Sequence, residues 1–140
     1  MKHCLFKTLL ATLPVLTLLG CTSADEPEQT QRKLLLESST SWDGTPYLRY
    51  PDAAPELSVL KLRIPANTQL QWHTHPIPNA AYILSGELTI ESRDDGRSQS
   101  FKQGEAVAEM VNRDHRGVTG DEPVELVVFY AGGEGIPLSE

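Results

Sequence analysis

The feature that most constrains this fold is the spacing of its apolar residues. From Leu35 onward they come in short runs, broken every eight to twelve positions by turn residues. Such runs are too short for a helix of ordinary length, and none repeats with a helical period. Residues 57–64 (LSVLKLRI) alternate apolar and polar side chains, and Pro65-Ala66-Asn67 then turns the chain into a strand over 68–75. Residues 80–84 and 87–92 meet at Ser85-Gly86, a tight hairpin signal. Asp94-Asp95-Gly96 leads to a strand over 98–102, and Gln103-Gly104 to one over 106–111. Asn112-Arg113-Asp114 opens into His115, and Gly120-Asp121-Glu122-Pro123 precedes residues 124–131 (VELVVFYA), the most apolar run. The pattern predicts an all-β domain, a sandwich or barrel, with a double-sheet jelly roll as the expected arrangement.

The first twenty residues read as an address. Lys2 and Lys7 give a basic start, and residues 9–19 are apolar except for threonines and Pro14. That run is shorter than the ~18–20 residues of a membrane-spanning helix and fits a secretory signal. The junction Leu18-Leu19-Gly20-Cys21 resembles the lipobox of bacterial lipoproteins. The resemblance implies that residues 1–20 are removed and that Cys21 is acylated as the mature N-terminus. It also implies a periplasm-facing lipoprotein of the cell envelope, with the outer membrane as the expected location. After the lipidated cysteine, the polar segment TSADEPEQTQRK completes a flexible tether over 21–34, leaving 35–140 as a single domain.

Composition excludes several functions. The net charge of −7 becomes −9 once Lys2 and Lys7 leave with the leader, and no basic cluster remains. That balance argues against nucleic acid and against an electrostatic hold on anionic lipid, so the membrane link is the acyl chain alone. The chain has two cysteines, of which Cys4 lies in the leader and Cys21 is spent on the lipid. No disulfide, cysteine ligand or cysteine nucleophile is then left, and the domain must rely on its core. No serine–histidine–acid arrangement, phosphate-cradling glycine loop or dinucleotide fingerprint is present.

The chain has four histidines: His3 in the leader, then His73, His75 and His115. A strand sends residues i and i+2 to one face, about 6.5–7 Å apart, so His73 and His75 can aim at one spot. Imidazole is a common metal ligand near neutral pH, and His115, if brought over by the fold, would complete a triad. The alternative is a solvent-facing pair on an edge strand and a turn residue. Trp72 takes the face opposite the histidines, toward core or interface. Pro76 and Pro78 stiffen the segment after them. Glu105 is expected in solvent. Glu109 is an unusual carboxylate in a strand; it is expected on the outer face, where charged strand residues usually lie, the alternative being an approach to the metal. Asp114 either orients an imidazole or shapes its turn.

These residues together resemble the cupins. The first cupin motif is Gly, five residues, His-x-His, three or four residues, Glu, six residues, Gly; its places hold Asn67, His73, His75, Asn79 and Gly86. The second is Gly, five residues, Pro-x-Gly, two residues, His, three residues, Asn; its places hold Gly104, Met110, Asn112, His115 and Thr119. The resemblance spans residues 57–131 and implies a cupin double-stranded β-helix, or jelly-roll barrel. It implies a divalent transition metal (Fe, Mn, Zn, Ni or Cu) on His73, His75 and His115, with Asn79 as a weak neutral donor in place of glutamate. Asn67 for glycine is a mild change, because Asn tolerates a left-handed backbone. With Asn79 inward, Ala81 and Ile83 follow it and Tyr82 faces out, toward the homodimer contact that the family implies. A small-molecule ligand or substrate is the implied partner. The activity would be oxygenase- or isomerase-like; the three-histidine iron centre of the thiol dioxygenase cupins has the same ligand types. The alternatives are a protein that captures a small molecule or metal without turnover, and a structural cupin with a degenerate site.

Overall fold

Strands form where the alternating runs lie, because a half-buried sheet needs apolar side chains at every second position. The computed structural model describes residues 29–140; the leader and Cys21 lie outside the described residues. Lys33–Glu140 forms one unit. Its strands are β1 (Pro55–Ile64), β2 (Asn79–Ser85), β3 (Glu87–Ser92), β4 (Ser98–Lys102), β5 (Ala106–Ala108), β6 (His115–Thr119) and β7 (Val124–Gly133). They build a four-stranded sheet in the order β1-β7-β2-β5 and a three-stranded sheet in the order β4-β3-β6, all pairs antiparallel. Among the described residues there is no helix. This is the expected all-β jelly roll.

Alternation decides which side chains meet between the sheets. On β2, Asn79, Ala81 and Ile83 are buried while Ala80 and Tyr82 are only half-buried, as expected. Ile83, Leu88, Ile90, Val107, Val124, Leu126 and Val128 form the apolar centre. Each such side chain contributes about 1.5–3 kcal/mol on burial. The outer face of the four-stranded sheet keeps Leu57, Val59 and Phe129 exposed.

Two expected strands differ. Residues 68–75 run beside β6 but touch it only through the isolated bridges Gln69↔Val118 and His73↔His115. Between those bridges lies Trp72, whose ring is covered by the guanidinium groups of Arg116 at 4.5 Å and Arg93 at 5.7 Å. Trp72 therefore lies in neither core nor sheet but in a cation–π stack. The strand expected to end at Val111 stops at Ala108, and Asn112 turns the chain with φ 54°. Asn67 also adopts the left-handed conformation, at φ 51°. In the β2–β3 hairpin Gly86 has φ 78°, and a Cβ there would sit 2.6 Å from the Pro123 carbonyl oxygen.

Candidate metal centre

His73 and His115 are partners across an antiparallel bridge: each backbone N–H donates to the other's carbonyl at 3.0 Å. That pairing brings two segments 42 positions apart in sequence to the same height in the barrel. His75, two residues on from His73, falls on the same face. The ring centroids lie 4.9, 4.6 and 5.0 Å apart, and one ring nitrogen from each residue lies within 4.8 Å of the others. His75 and His115 are buried and His73 is half-buried.

The hydrogen bonds fix which nitrogen faces inward. His73 Nδ1 donates to the Gln71 carbonyl at 2.9 Å, His75 Nδ1 to Leu138 at 2.7 Å, and His115 Nδ1 to Arg113 at 2.8 Å. A carbonyl oxygen can only accept, so each Nδ1 carries a proton and each neutral ring has its lone pair on Nε2. Three imidazoles in one tautomer, each oriented through its second nitrogen, is how metal-bound histidines are usually held.

Glu109 corrects the expectation that its carboxylate faces water. It is 7% exposed, and its Oε2 lies 3.3 Å from both His75 Nε2 and His115 Nε2. Ala80 pairs with Ala108 in the β2–β5 ladder, so the next step places Glu109 beside Asn79, and the Glu109 N–H donates to the Asn79 carbonyl at 3.1 Å. The Glu109 carbonyl in turn accepts from the Tyr47 hydroxyl at 2.6 Å. Burial opposes ionisation of Glu109, yet His115 and His75 hold it well below the usual carboxylate range. Burial likewise opposes a charge on His115, but the Glu109 carboxylate raises its pKa; at His73 burial wins and the pKa falls.

Asn79 points inward as expected. Its Nδ2 donates to the Ile77 carbonyl at 3.3 Å, while its buried Oδ1 has no partner. A buried acceptor without a donor normally marks a missing water or ion. Tyr130, which periodicity alone did not single out, stands edge-on to the His75 ring at 5.5 Å; burial and the nearby Glu109 charge push its hydroxyl up to about 12. Asp114 does not orient an imidazole: its carboxylate faces Arg93 at 3.4 Å on the surface. Glu105 lies in its turn as expected, accepting from the Lys102 N–H at 2.7 Å.

A cavity of about 60 Å³ opens beside the cluster, walled by Leu70, Leu88, Ile90, Val128 and Tyr130. A larger concavity of about 590 Å³, lined by Tyr47, Leu48, Tyr50 and Phe129 among others, includes none of the histidines. The smaller space is the one that meets the chemistry. The donor set suits a metal: three imidazoles aligned on one point, with a carboxylate against two of them.

Residues 60–130, just over half of the chain, match the family described as the cupin domain. No curated protein matches the chain. Among solved structures it is similar to the DMSP lyase DddQ from Ruegeria pomeroyi DSS-3, at 22% identity and TM-score 0.54, covering 69% of this chain and 46% of the lyase. It is also similar to an oxalate decarboxylase of Lactobacillus farciminis in a formate complex, at 18% identity and TM-score 0.52, covering 60% of this chain and 26% of that one. A third is a cupin-like protein of Thermotoga maritima, at 15% identity and TM-score 0.51, covering 60% and 62% of the two chains. The chain spans less than half of the lyase's length, and at these identities the likeness is one of fold. Two sheets closing around a three-histidine cluster, with the family match laid over them, place this chain in the cupin family.

Proposed function

We propose that this protein is a metal-dependent cupin of the bacterial cell envelope, tethered through acylated Cys21. In this reading His73, His75 and His115 hold a divalent transition metal, with Asn79 beside them as a weak neutral donor, and the centre acts on a very small molecule by oxygenase-type chemistry. The observation that carries the reading is the shared tautomer: three backbone carbonyls take the three Nδ1 protons, leaving three Nε2 lone pairs for one ion. Such a metal, when bound, supplies Lewis acidity or a template on which two small molecules meet.

The walls limit the size of what can react. Ligand pockets for drug-sized molecules run to about 300–1,000 Å³, whereas the cavity at the histidines is about 60 Å³. A water needs about 10–15 Å³ of such space, so only a small molecule fits without moving a wall. Apolar Leu70, Leu88, Ile90 and Val128 keep bulk water away, and Tyr130, whose ring stands edge-on to His75, keeps its hydroxyl protonated. The lyase and the decarboxylase to which the fold is similar are named for small substrates, DMSP and oxalate.

Metal analysis tests the reading. The full chain, purified from its own compartment, is expected to carry about one transition metal, absent from His73→Ala and His115→Ala. Oxygen uptake with a panel of small thiols, carboxylates and phenols then separates turnover from capture alone. A metal-free wild type whose two variants melt at the same temperature as the parent would leave only the structural role.

A further inference from the structure

We infer that Glu109 is the anionic fourth ligand of the centre, supplied from β5 and the residue after it in place of the one that Asn79 cannot give. This rests on the metal reading above and adds to it a donor that neither motif position supplies. Asn79 and Glu109 are neighbours across the β2–β5 ladder, joined by the 3.1 Å bond from the Glu109 N–H to the Asn79 carbonyl. A carboxylate one strand over from Asn79 therefore enters the cavity that the three histidines line. Its Oε2 already lies 3.3 Å from two of the three imidazole nitrogens that face inward.

Charge favours such a group. Three neutral imidazoles and an amide leave both positive charges of a divalent ion uncompensated in an apolar bore, a costly arrangement. Among the described residues the buried carboxylates are Asp43 and Glu109. Asp43 is engaged by Thr45 and by Arg113 at 2.7 Å, away from the cluster. Glu109 alone faces the histidines. Its backbone is held on both sides, by Asn79 through the N–H and by the Tyr47 hydroxyl through the carbonyl, so the side chain starts from a fixed point. The same donor set, one carboxylate with three imidazoles, favours Mn(II), Fe(II) or Co(II) over ions that prefer sulfur.

The test uses the full chain, stripped with chelator, and Mn(II) or Co(II) as the probe. Glu109→Gln, nearly isosteric, is expected to weaken Mn(II) binding on the order of 10–100-fold in competition with a fluorescent chelator. It is also expected to alter the visible absorption of bound Co(II), a readout that a packing role would leave unchanged. Should the amide variant fail to fold, Glu109→Asp keeps the charge and retracts it by one methylene, and a changed Co(II) spectrum is again expected. Equal Mn(II) affinity and an identical Co(II) spectrum, in a protein whose binding still needs His115, overturn the assignment alone. A wild type that takes up neither ion overturns the metal reading and the assignment with it.

Discussion

Arg113 meets the Asp43 carboxylate at 2.7 Å with its side chain and the His115 ring at 2.8 Å with its carbonyl. Asp43 also accepts from the Ser41 hydroxyl and from the Thr45 N–H at 3.0 Å, so a loop far away in sequence fixes the residue that aims a histidine. Burial opposes ionisation of Asp43, but those hydrogen bonds and Arg113 hold its pKa below the ordinary value. A depressed carboxyl pKa gives stability that is complete above the unfolded value of about 3.9 and disappears as pH falls through the folded one. Asp43→Asn should therefore cost about 1.5–3 kcal/mol near neutral pH and lose less than the wild type on going to pH 3. Urea melts at both values check this, and parallel losses in the two proteins would remove Asp43 from the account. The pair His73 and His75 was legible in the sequence because a two-residue period is local. Glu109 was misplaced although the same period held the clue, since Val107 and Glu109 lie two apart and Val107 is buried. Tyr130 was hidden inside the most apolar run, where one more ring carries no signal.

The short C-terminal stretch after β7 is the element that alternation could not reveal. Thr74 and Glu140 exchange backbone hydrogen bonds at 3.0 Å, and the Leu138 carbonyl holds His75. The tail thus pairs with the very segment that carries the two neighbouring histidines. It lacks strand-like alternation, yet Ile136 and Leu138 pack against the core while its main chain pairs with Thr74 and His75. Deleting residues 138–140 should weaken metal binding roughly 10–100-fold while the β-sheet circular dichroism stays as it was. Unchanged Mn(II) affinity in the truncated chain would show that His75 needs no clamp. Strands β1–β4 and β7 were legible nearly to their ends. The segment over 68–75 was misread because it carries strand-like residues yet meets β6 only at two isolated bridges.

At the scale of the molecule, the order of strands was beyond local pattern. β7 lies between β1 and β2, and β6 pairs with β3, pairings made by distant parts of the chain. The cupin motifs supplied what periodicity could not, since they fix which distant histidine belongs with which pair. Anchorage belongs to this scale too. With no free cysteine expected in the domain, acylation at Cys21 is the proposed link to the membrane. Labelled palmitate should enter the wild-type chain and not Cys21→Ala, which should be released in soluble form; label retained by the variant would rule this anchor out.

The acceptors that aim the imidazoles are all part of the main chain. No replacement of a neighbouring side chain can erase a peptide oxygen, so the aim of the rings is inherited with the barrel itself. Drift among the surrounding apolar residues would thus reshape the chamber and change what it admits, while the ion's grip stayed as it was.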